Sequence, residues 1–100
     1  MSHVRLEVLP WLARYFGTEQ SGRVVLEREV SDGTTVSDLL EDVTSQNQEL
    51  QEVLFDTQTG RLTGYVTLIL NGRLLELAGG LEAELRPGDT LRLMPTLAGG

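Results

Sequence analysis

The length, composition and charge of this chain limit the classes of protein to which it can belong. Its 100 residues form one domain, and an apolar content of 40% is enough for a modest core. A net charge of −7 disfavours binding to nucleic acid or to a membrane surface and indicates a basic protein partner, while the absence of cysteine excludes disulfides and thiolate chemistry.

Two alternating stretches near the start of the chain predict a first pair of strands. Val4, Leu6 and Val8 alternate with charged residues, and residues 23–30 alternate again, as half-buried strands do. Residues 11–17, between the two, hold most of the aromatic side chains. We expect a turn or a short helical loop there that packs on the core.

The clearest helix begins after Thr35. Thr35 and Asp38 have the spacing of a capping box, in which each side chain accepts a hydrogen bond from an amide of the first turn. Apolar residues then recur at helical spacing, at Val36, Leu39, Leu40 and Val43. A second, shorter helix is predicted over residues 47–55.

Three further strands are predicted in the second half of the chain. Residues 65–70 have the composition of a buried strand, and the Asn71-Gly72 pair after them is a strong signal for a two-residue hairpin turn. Residues 73–77 are predicted to be the returning strand of that hairpin. A type II turn at residues 86–89 leads into the last strand, residues 90–94.

This order of elements predicts an α+β fold, in which one main helix crosses a mixed sheet of four to five strands. The domain is expected to span residues 1–94. Pro95 cannot donate a ladder hydrogen bond and biases Met94 toward an extended conformation. The sheet is therefore expected to end at that point, with residues 95–100 forming a flexible, extended tail.

Conventional catalytic and metal-binding groups are scarce. His3 is the single histidine and lies near a terminus that we expect to be mobile, so neither a metal site nor a His-based triad nor a bound cofactor is expected. Acidic pairs such as Glu82 and Glu84 are typical of a solvated surface in an acidic chain, and the glycines lack the spacing of phosphate-binding loops. An enzyme with its own active site is disfavoured.

Targeting signals are also missing from the sequence. Charged residues occupy the N-terminal segment where a signal peptide has its apolar stretch, and no apolar run approaches the ~18 residues of a membrane span. We expect a cytoplasmic protein with no membrane contact.

The C-terminal residues form a different kind of site. Leu97, Ala98, Gly99 and Gly100 end the chain, and the last two have no Cβ, so they fit a channel too narrow for a side chain. Residues 95–100 reach at most ~20 Å when extended. A partner could join the terminal carboxylate to ATP as an acyl-adenylate and then exchange it for sulfur or an amine; a frayed terminus is the alternative. The same Leu-Ala-Gly-Gly string occurs at residues 77–80, where we expect only a turn.

Residues 85–100, LRPGDTLRLMPTLAGG, resemble the C-terminus of the ubiquitin-like sulfur carriers, the MoaD/ThiS family. In that family a Gly-Asp turn, an apolar strand, a proline, a small apolar pair and Gly-Gly follow one another. Asn71-Gly72 matches the hairpin before this segment. Two members are most similar, the small subunit of molybdopterin synthase and the sulfur carrier of cysteine biosynthesis. The resemblance implies the β-grasp fold.

The resemblance also implies a function. It implies that a ubiquitin-activating-type enzyme uses ATP to adenylate Gly100, which is then converted to a thiocarboxylate. Leu97, Ala98 and Gly99 would give the reactive end access to partner active sites. The sulfur would pass to a molybdopterin-synthase large subunit or to a cysteine-synthase-like enzyme, and the chain would be a carrier rather than an enzyme.

Candidate docking residues lie near the tail. They are Met94, Pro95 and whichever of Leu68 and Ile69 faces outward on the open side of the sheet. Ordinary core packing is the alternative for each of them.

Two other functions remain open. One is a ubiquitin-like modifier that forms isopeptide bonds with target lysines, and the other is a plain β-grasp interaction module whose tail is incidental. All 8 basic residues are arginine. The absence of lysine fits both the carrier and the modifier, because each passes through an acyl intermediate that a lysine amine of the same chain could attack. Compositional bias toward arginine is the simpler explanation and is the one that we favour.

Overall fold

The computed structural model describes residues 2–8, 24–45, 47–56 and 58–96. Within these ranges, 5 strands form one sheet in the order β2-β1-β5-β3-β4. The strands are β1 (Ser2–Val8), β2 (Val24–Val30), β3 (Val66–Leu70), β4 (Arg73–Leu74) and β5 (Thr90–Pro95). β1 and β5 run parallel, and the other neighbouring pairs are antiparallel, which confirms the predicted mixed sheet.

Two helices, α1 (Val36–Thr44) and α2 (Gln48–Leu54), cover one face of the sheet. α1 begins as predicted, because the Thr35 hydroxyl accepts the Asp38 N–H and the Asp38 carboxylate accepts the Thr35 N–H. Asn47 caps α2 through its side chain. Among the described helices, none is long and apolar enough to span a membrane.

The core lies between the sheet and the helices. Alternate residues of three strands point into it, each at most 6% exposed: Val4, Leu6, Val8, Val66, Leu68, Leu70, Leu91 and Leu93. The helices contribute Val36, Leu39, Leu40, Leu50 and Leu54, each at most 2% exposed. Full burial of side chains of this size stabilises by about 1.5–3 kcal/mol each, so this shared core holds the helices on the sheet.

The turn after β3 has the predicted two-residue form. Asn71 and Gly72 have φ values of 52° and 84°, the left-handed conformation that a type I′ turn requires at both positions. The Asn71 side chain also joins this hairpin to the start of β5. Its Nδ2 donates to Asp89 Oδ1 at 2.9 Å, and its Oδ1 accepts the Thr90 N–H at 2.8 Å.

We expect Asn71→Ala to lower the free energy of unfolding by about 3 kcal/mol, because two hydrogen bonds are lost and alanine is strained at positive φ. Asn71→Gly loses the same bonds without that strain and should cost about 2 kcal/mol. Urea unfolding of the two variants and the parent protein measures both effects. Wild-type stability in either variant would show that the side-chain bonds contribute nothing.

The strand predicted at residues 73–77 is shorter than expected. β4 ends at Leu74, and residues 75–77 form a 3₁₀ turn in which the Ala78 N–H donates to the Leu75 carbonyl at 2.9 Å. Gly79 and Gly80 follow with φ values of 110° and 71°. The 3₁₀ turn therefore ends the ladder at Leu74, and the glycine pair, half of the internal Leu-Ala-Gly-Gly string, lets the chain reverse after it.

The last strand is longer than predicted, because β5 continues through Pro95 instead of ending at Met94. Pro95 lies opposite Val66, and the Thr96 N–H donates to the Tyr65 carbonyl at 3.0 Å. Hydrogen-bonded and non-hydrogen-bonded pairs alternate along an antiparallel ladder. Pro95 occupies a non-hydrogen-bonded position, so its missing N–H removes no bond to β3.

The N-terminal predictions have different outcomes. His3 lies within β1, with its Nε2 3.9 Å from Glu29 Oε1, so the expectation that it lies in a mobile terminus is wrong. The aromatic loop predicted at residues 11–17 lies outside the described residues.

The division of the chain into a domain over residues 1–94 and a tail over residues 95–100 stays a prediction. The structure changes one detail of it, because the last strand ends at Pro95.

Candidate functional site

The tail leaves the sheet from a fixed point at the end of β5. The Thr96 N–H bonds to the Tyr65 carbonyl, and the hydroxyl oxygens of Thr96 and Thr67 lie 2.9 Å apart. Four residues follow Thr96, and fully extended they reach at most ~14 Å. These residues, Leu97, Ala98, Gly99 and Gly100, lie outside the described residues, so their roles stay predictions. A group that reacts with Gly100 must nevertheless come within ~14 Å of Thr96.

The sheet face opposite the helices has a charged half formed largely by β1 and β2. Arg5–Glu27 and Arg92–Glu7 are ion pairs with N–O distances of 3.7 and 3.3 Å, and His3 Nε2 lies 3.9 Å from Glu29 Oε1. The Arg5–Glu27 pair is exposed on both sides and contributes about 0–1 kcal/mol. Since these charges neutralise one another, this half offers a partner little net charge.

The other half of this face is apolar and adjoins the tail attachment. We name it the tail-side face and define it by Tyr65, Thr67, Ile69, Leu74 and Met94. Thr67 lies opposite Met94, and Ile69 lies opposite Leu74. The side chains of Tyr65 and Leu74 are 68% and 42% exposed. An exposed apolar cluster of this kind marks a candidate interaction surface.

The four predicted docking residues do not all lie on the same face of the sheet. Met94 and Ile69 lie on the tail-side face and are half-buried. Leu68 is 4% exposed and belongs to the core, so of the two alternatives Ile69 is the residue that faces outward, and Leu68 is not a docking residue. Pro95 is half-buried opposite the buried Val66, which places it on the core side of the sheet rather than on the open face.

Sequence reasoning missed two exposed residues of the tail-side face, Tyr65 and Leu74. The hairpin signal could have identified Leu74, because a two-residue turn at Asn71-Gly72 sets it opposite Ile69. Tyr65 was placed inside the predicted strand, whereas the strand begins at Val66. In the part of the chain that the structure describes, no group of three His, Asp or Glu side chains could hold a metal ion.

The net negative charge lies on the helical side of the molecule. Residues 30–60 contain seven acidic residues and no basic residue, so the charge of this segment is −7, the same as the net charge of the whole chain. The acidic residues of α1 and α2 are exposed: Asp38, Glu41, Asp42, Glu49 and Glu52. Because the helices cover the other face of the sheet, a basic partner surface would meet this side rather than the tail-side face.

Comparison with known proteins yields both a family and a fold. The sequence model of the ThiS family matches residues 13–100. An Archaeoglobus fulgidus protein described as a sulfur carrier is 37% identical over 62 residues, which are 62% of this chain and 66% of that protein. The match thus spans just under two thirds of that relative's length.

Solved structures are similar over nearly the whole chain. A chain of the Amycolatopsis orientalis BexX/CysO complex is 29% identical with a TM-score of 0.72, covering 97% of this chain and 99% of that one. The small archaeal modifier protein SAMP1 of Methanosarcina acetivorans is 25% identical with a TM-score of 0.74, covering 100% of this chain and 98% of that one. These neighbours confirm the β-grasp, ubiquitin-like fold.

Proposed function

Because the chain belongs to the ThiS family, we propose that it is a sulfur carrier whose Gly100 carboxylate is converted to a thiocarboxylate. The observation that carries this proposal is the attachment of the tail, since bonds to Tyr65 and Thr67 hold Thr96 at the end of the sheet and four residues follow it. The Archaeoglobus fulgidus relative, described as a sulfur carrier, supports the same role.

The first proposed step is activation of the carboxylate by a ubiquitin-activating-type enzyme. An oxygen of the Gly100 carboxylate attacks the α-phosphorus of ATP, pyrophosphate leaves, and an acyl-adenylate forms. The chain contributes the nucleophilic oxygen and a slender end that enters the enzyme. ATP is consumed by that enzyme, and the cycle takes place in the cytoplasm.

The second proposed step exchanges oxygen for sulfur. The terminal sulfur of a persulfide, carried by a desulfurase or a rhodanese-like protein, attacks the acyl carbon of the adenylate, and AMP leaves with the bonding electrons. A thiol then attacks the protein-side sulfur of the resulting acyl disulfide, which forms a new disulfide and releases the thiocarboxylate. The resulting thiocarboxylate is a better nucleophile at sulfur than the carboxylate it replaces. It then donates its sulfur inside a second enzyme, either a molybdopterin-synthase large subunit or a cysteine-synthase-like enzyme.

The tail-side face is the proposed docking surface for these enzymes. Tyr65, Ile69, Leu74 and Met94 offer apolar contact area beside the tail, and Gly100 lies at most ~14 Å from Thr96. An enzyme that takes up the tail must therefore cover this end of the sheet. The BexX/CysO complex, which contains a chain similar to this one, supports partner binding by proteins of this fold.

Protein modification is the second candidate function. The similarity to SAMP1, a modifier protein, favours it, whereas the absence of lysine from the chain fits the carrier and the modifier alike. Activation of Gly100 is common to both functions. They differ in the group that displaces AMP, which is a sulfur nucleophile for the carrier and the ε-amine of a target lysine for the modifier.

The test uses the purified protein and the adenylating enzyme encoded in the same genome. We expect the protein to support ATP–pyrophosphate exchange, and a variant lacking Gly99 and Gly100 to support none. Adding sulfide should raise the intact mass by the exchange of one oxygen for one sulfur. Target lysines that carry a Gly-Gly remnant in cell extracts would favour the modifier, and an unmodified mass throughout would favour an interaction module.

A further inference from the structure

One edge of β3 is open beside the short strand β4. β4 pairs only with Ile69 and Leu70. The chain then turns away, because the Leu75 carbonyl accepts the Ala78 N–H within a 3₁₀ turn. Of the strands in the described ranges, none pairs with residues 66–68 on this side.

The backbone of this open segment presents hydrogen-bonding groups to its surroundings. The Thr96 N–H bonds to the Tyr65 carbonyl, so the odd-numbered residues of this segment direct their backbone groups toward β5. The even-numbered residues, Val66 and Leu68, direct their N–H groups the other way, toward the open edge. A strand of another molecule could accept these hydrogen bonds.

An apolar groove of about 360 Å³ surrounds the same edge. It is lined from both faces of the sheet, by Val66 and Leu68 on the core side and by Thr67 and Leu74 on the open side. Successive side chains of an added strand point to opposite faces, so both faces of the groove would be filled. Among the described residues that line it, Glu76 alone is charged.

Within the described ranges, the sheet has one open edge along β2 and another along residues 66–68 of β3, beyond the end of β4, and the two edges differ in sequence. β2 carries Glu27, Arg28 and Glu29 in succession, and charged side chains are a common protection of an edge. Residues 66–68 of β3 carry no charge. The β3 edge is therefore the better suited of the two to strand addition.

We infer that the enzyme that takes up the tail adds an extended segment of its own to β3 at residues 66–68. This inference rests on the proposed function. Thr96 lines the groove, and Gly100 lies at most ~14 Å from Thr96, so the surface of that enzyme covers the groove. The added segment carries apolar side chains at alternate positions and a basic side chain facing Glu76. A second copy of this chain is a poorer occupant, because two molecules of net charge −7 repel each other.

Amide hydrogen exchange, free and in complex with the adenylating enzyme of the same genome, tests this inference residue by residue. The Val66 and Leu68 amides should exchange quickly in the free protein and slow by about tenfold or more in the complex. The Thr67 and Ile69 amides, directed toward β5, should be protected in both states and provide an internal control.

The outcomes separate this inference from the proposed function. Unchanged exchange at Val66 and Leu68, in a complex that supports ATP–pyrophosphate exchange, would overturn strand addition and leave the carrier function standing. A lack of ATP–pyrophosphate exchange would overturn both. Protection of these two amides in the free protein would mean that a second copy or the chain's own tail occupies the edge, and would also overturn the inference.

A matched pair of substitutions provides a second test. Leu74 lines the groove and is 42% exposed, whereas Leu77 is 69% exposed and does not line it. Leu74→Asp should raise the Kd for the adenylating enzyme by about tenfold or more, and Leu77→Asp should change it by less than about twofold. Equal effects of the two substitutions, or no effect of Leu74→Asp, would contradict the assignment.

Discussion

Gly99→Val is expected to reduce activation of the protein below detection while leaving its stability unchanged. A β-branched side chain at this position cannot pass through a channel that admits only glycine. Because residues 95–100 are predicted to form an extended tail, we expect Gly99 to contribute nothing to folding. ATP–pyrophosphate exchange measures activation, and thermal unfolding measures stability.

The internal copy of Leu-Ala-Gly-Gly supplies a matched control, Gly79→Val. Gly79 has a φ of 110°, and an added Cβ would lie 3.0 Å from the Cβ of Ala83. We expect this substitution to lower the free energy of unfolding by about 2–3 kcal/mol. Activation should be retained at temperatures where the variant is folded. The account would be wrong if the two substitutions showed the opposite pattern, with Gly99→Val destabilising the fold and Gly79→Val blocking activation.

Leu68→Ala is expected to lower the free energy of unfolding by about 3 kcal/mol, because Leu68 is a core residue and its truncation leaves a cavity. Ile69→Ala, at the neighbouring position, should cost less than about 1 kcal/mol, because Ile69 faces the open side of the sheet. Leu68 is 4% exposed, whereas Ile69 is half-buried opposite Arg92. Urea unfolding of both variants measures the difference.

Binding to the adenylating enzyme should show the reverse order. Ile69→Ala removes apolar contact area from the tail-side face and should weaken binding by about tenfold. Leu68→Ala should bind with nearly the parent affinity under conditions where it is fully folded. If both variants lost the same stability, Leu68 could not face the core while Ile69 faces the open side. If Ile69→Ala bound with unchanged affinity, the tail-side face would not be part of the docking surface.

The sequence predicted best the features that depend on neighbouring residues. The capping box needs only Thr35 and Asp38, and the structure forms both of its hydrogen bonds. The Asn71-Gly72 turn needs only two residues that tolerate positive φ. Contacts this local are set by residue type and spacing, which explains why these elements were predicted at the right positions.

The features predicted wrongly depend on pairing between distant parts of the chain. The strand extends through Pro95 because the Thr96–Tyr65 bond places Pro95 at a non-hydrogen-bonded position, and no local pattern reveals that position. The choice between Leu68 and Ile69 likewise requires knowing which face of β3 the helices cover. In an apolar run the alternation is hidden, because both positions carry large aliphatic side chains.

One part of the candidate site could be predicted from residue type, and another part could not. Gly99 and Gly100 could be singled out from residue type alone, because two residues without a Cβ at a chain end suit a narrow channel. The open edge of β3 could not be predicted, since it exists only because β4 ends at Leu74. The sequence predicted a longer strand there, which would have covered the edge.

Fragmentation mass spectrometry of the intact protein, after reaction with its adenylating enzyme, ATP and a sulfur donor, tests the central claim most directly. We predict that one oxygen is replaced by one sulfur and that every fragment carrying the change contains Gly100. An unchanged mass, or sulfur located on any fragment that lacks Gly100, would contradict the account.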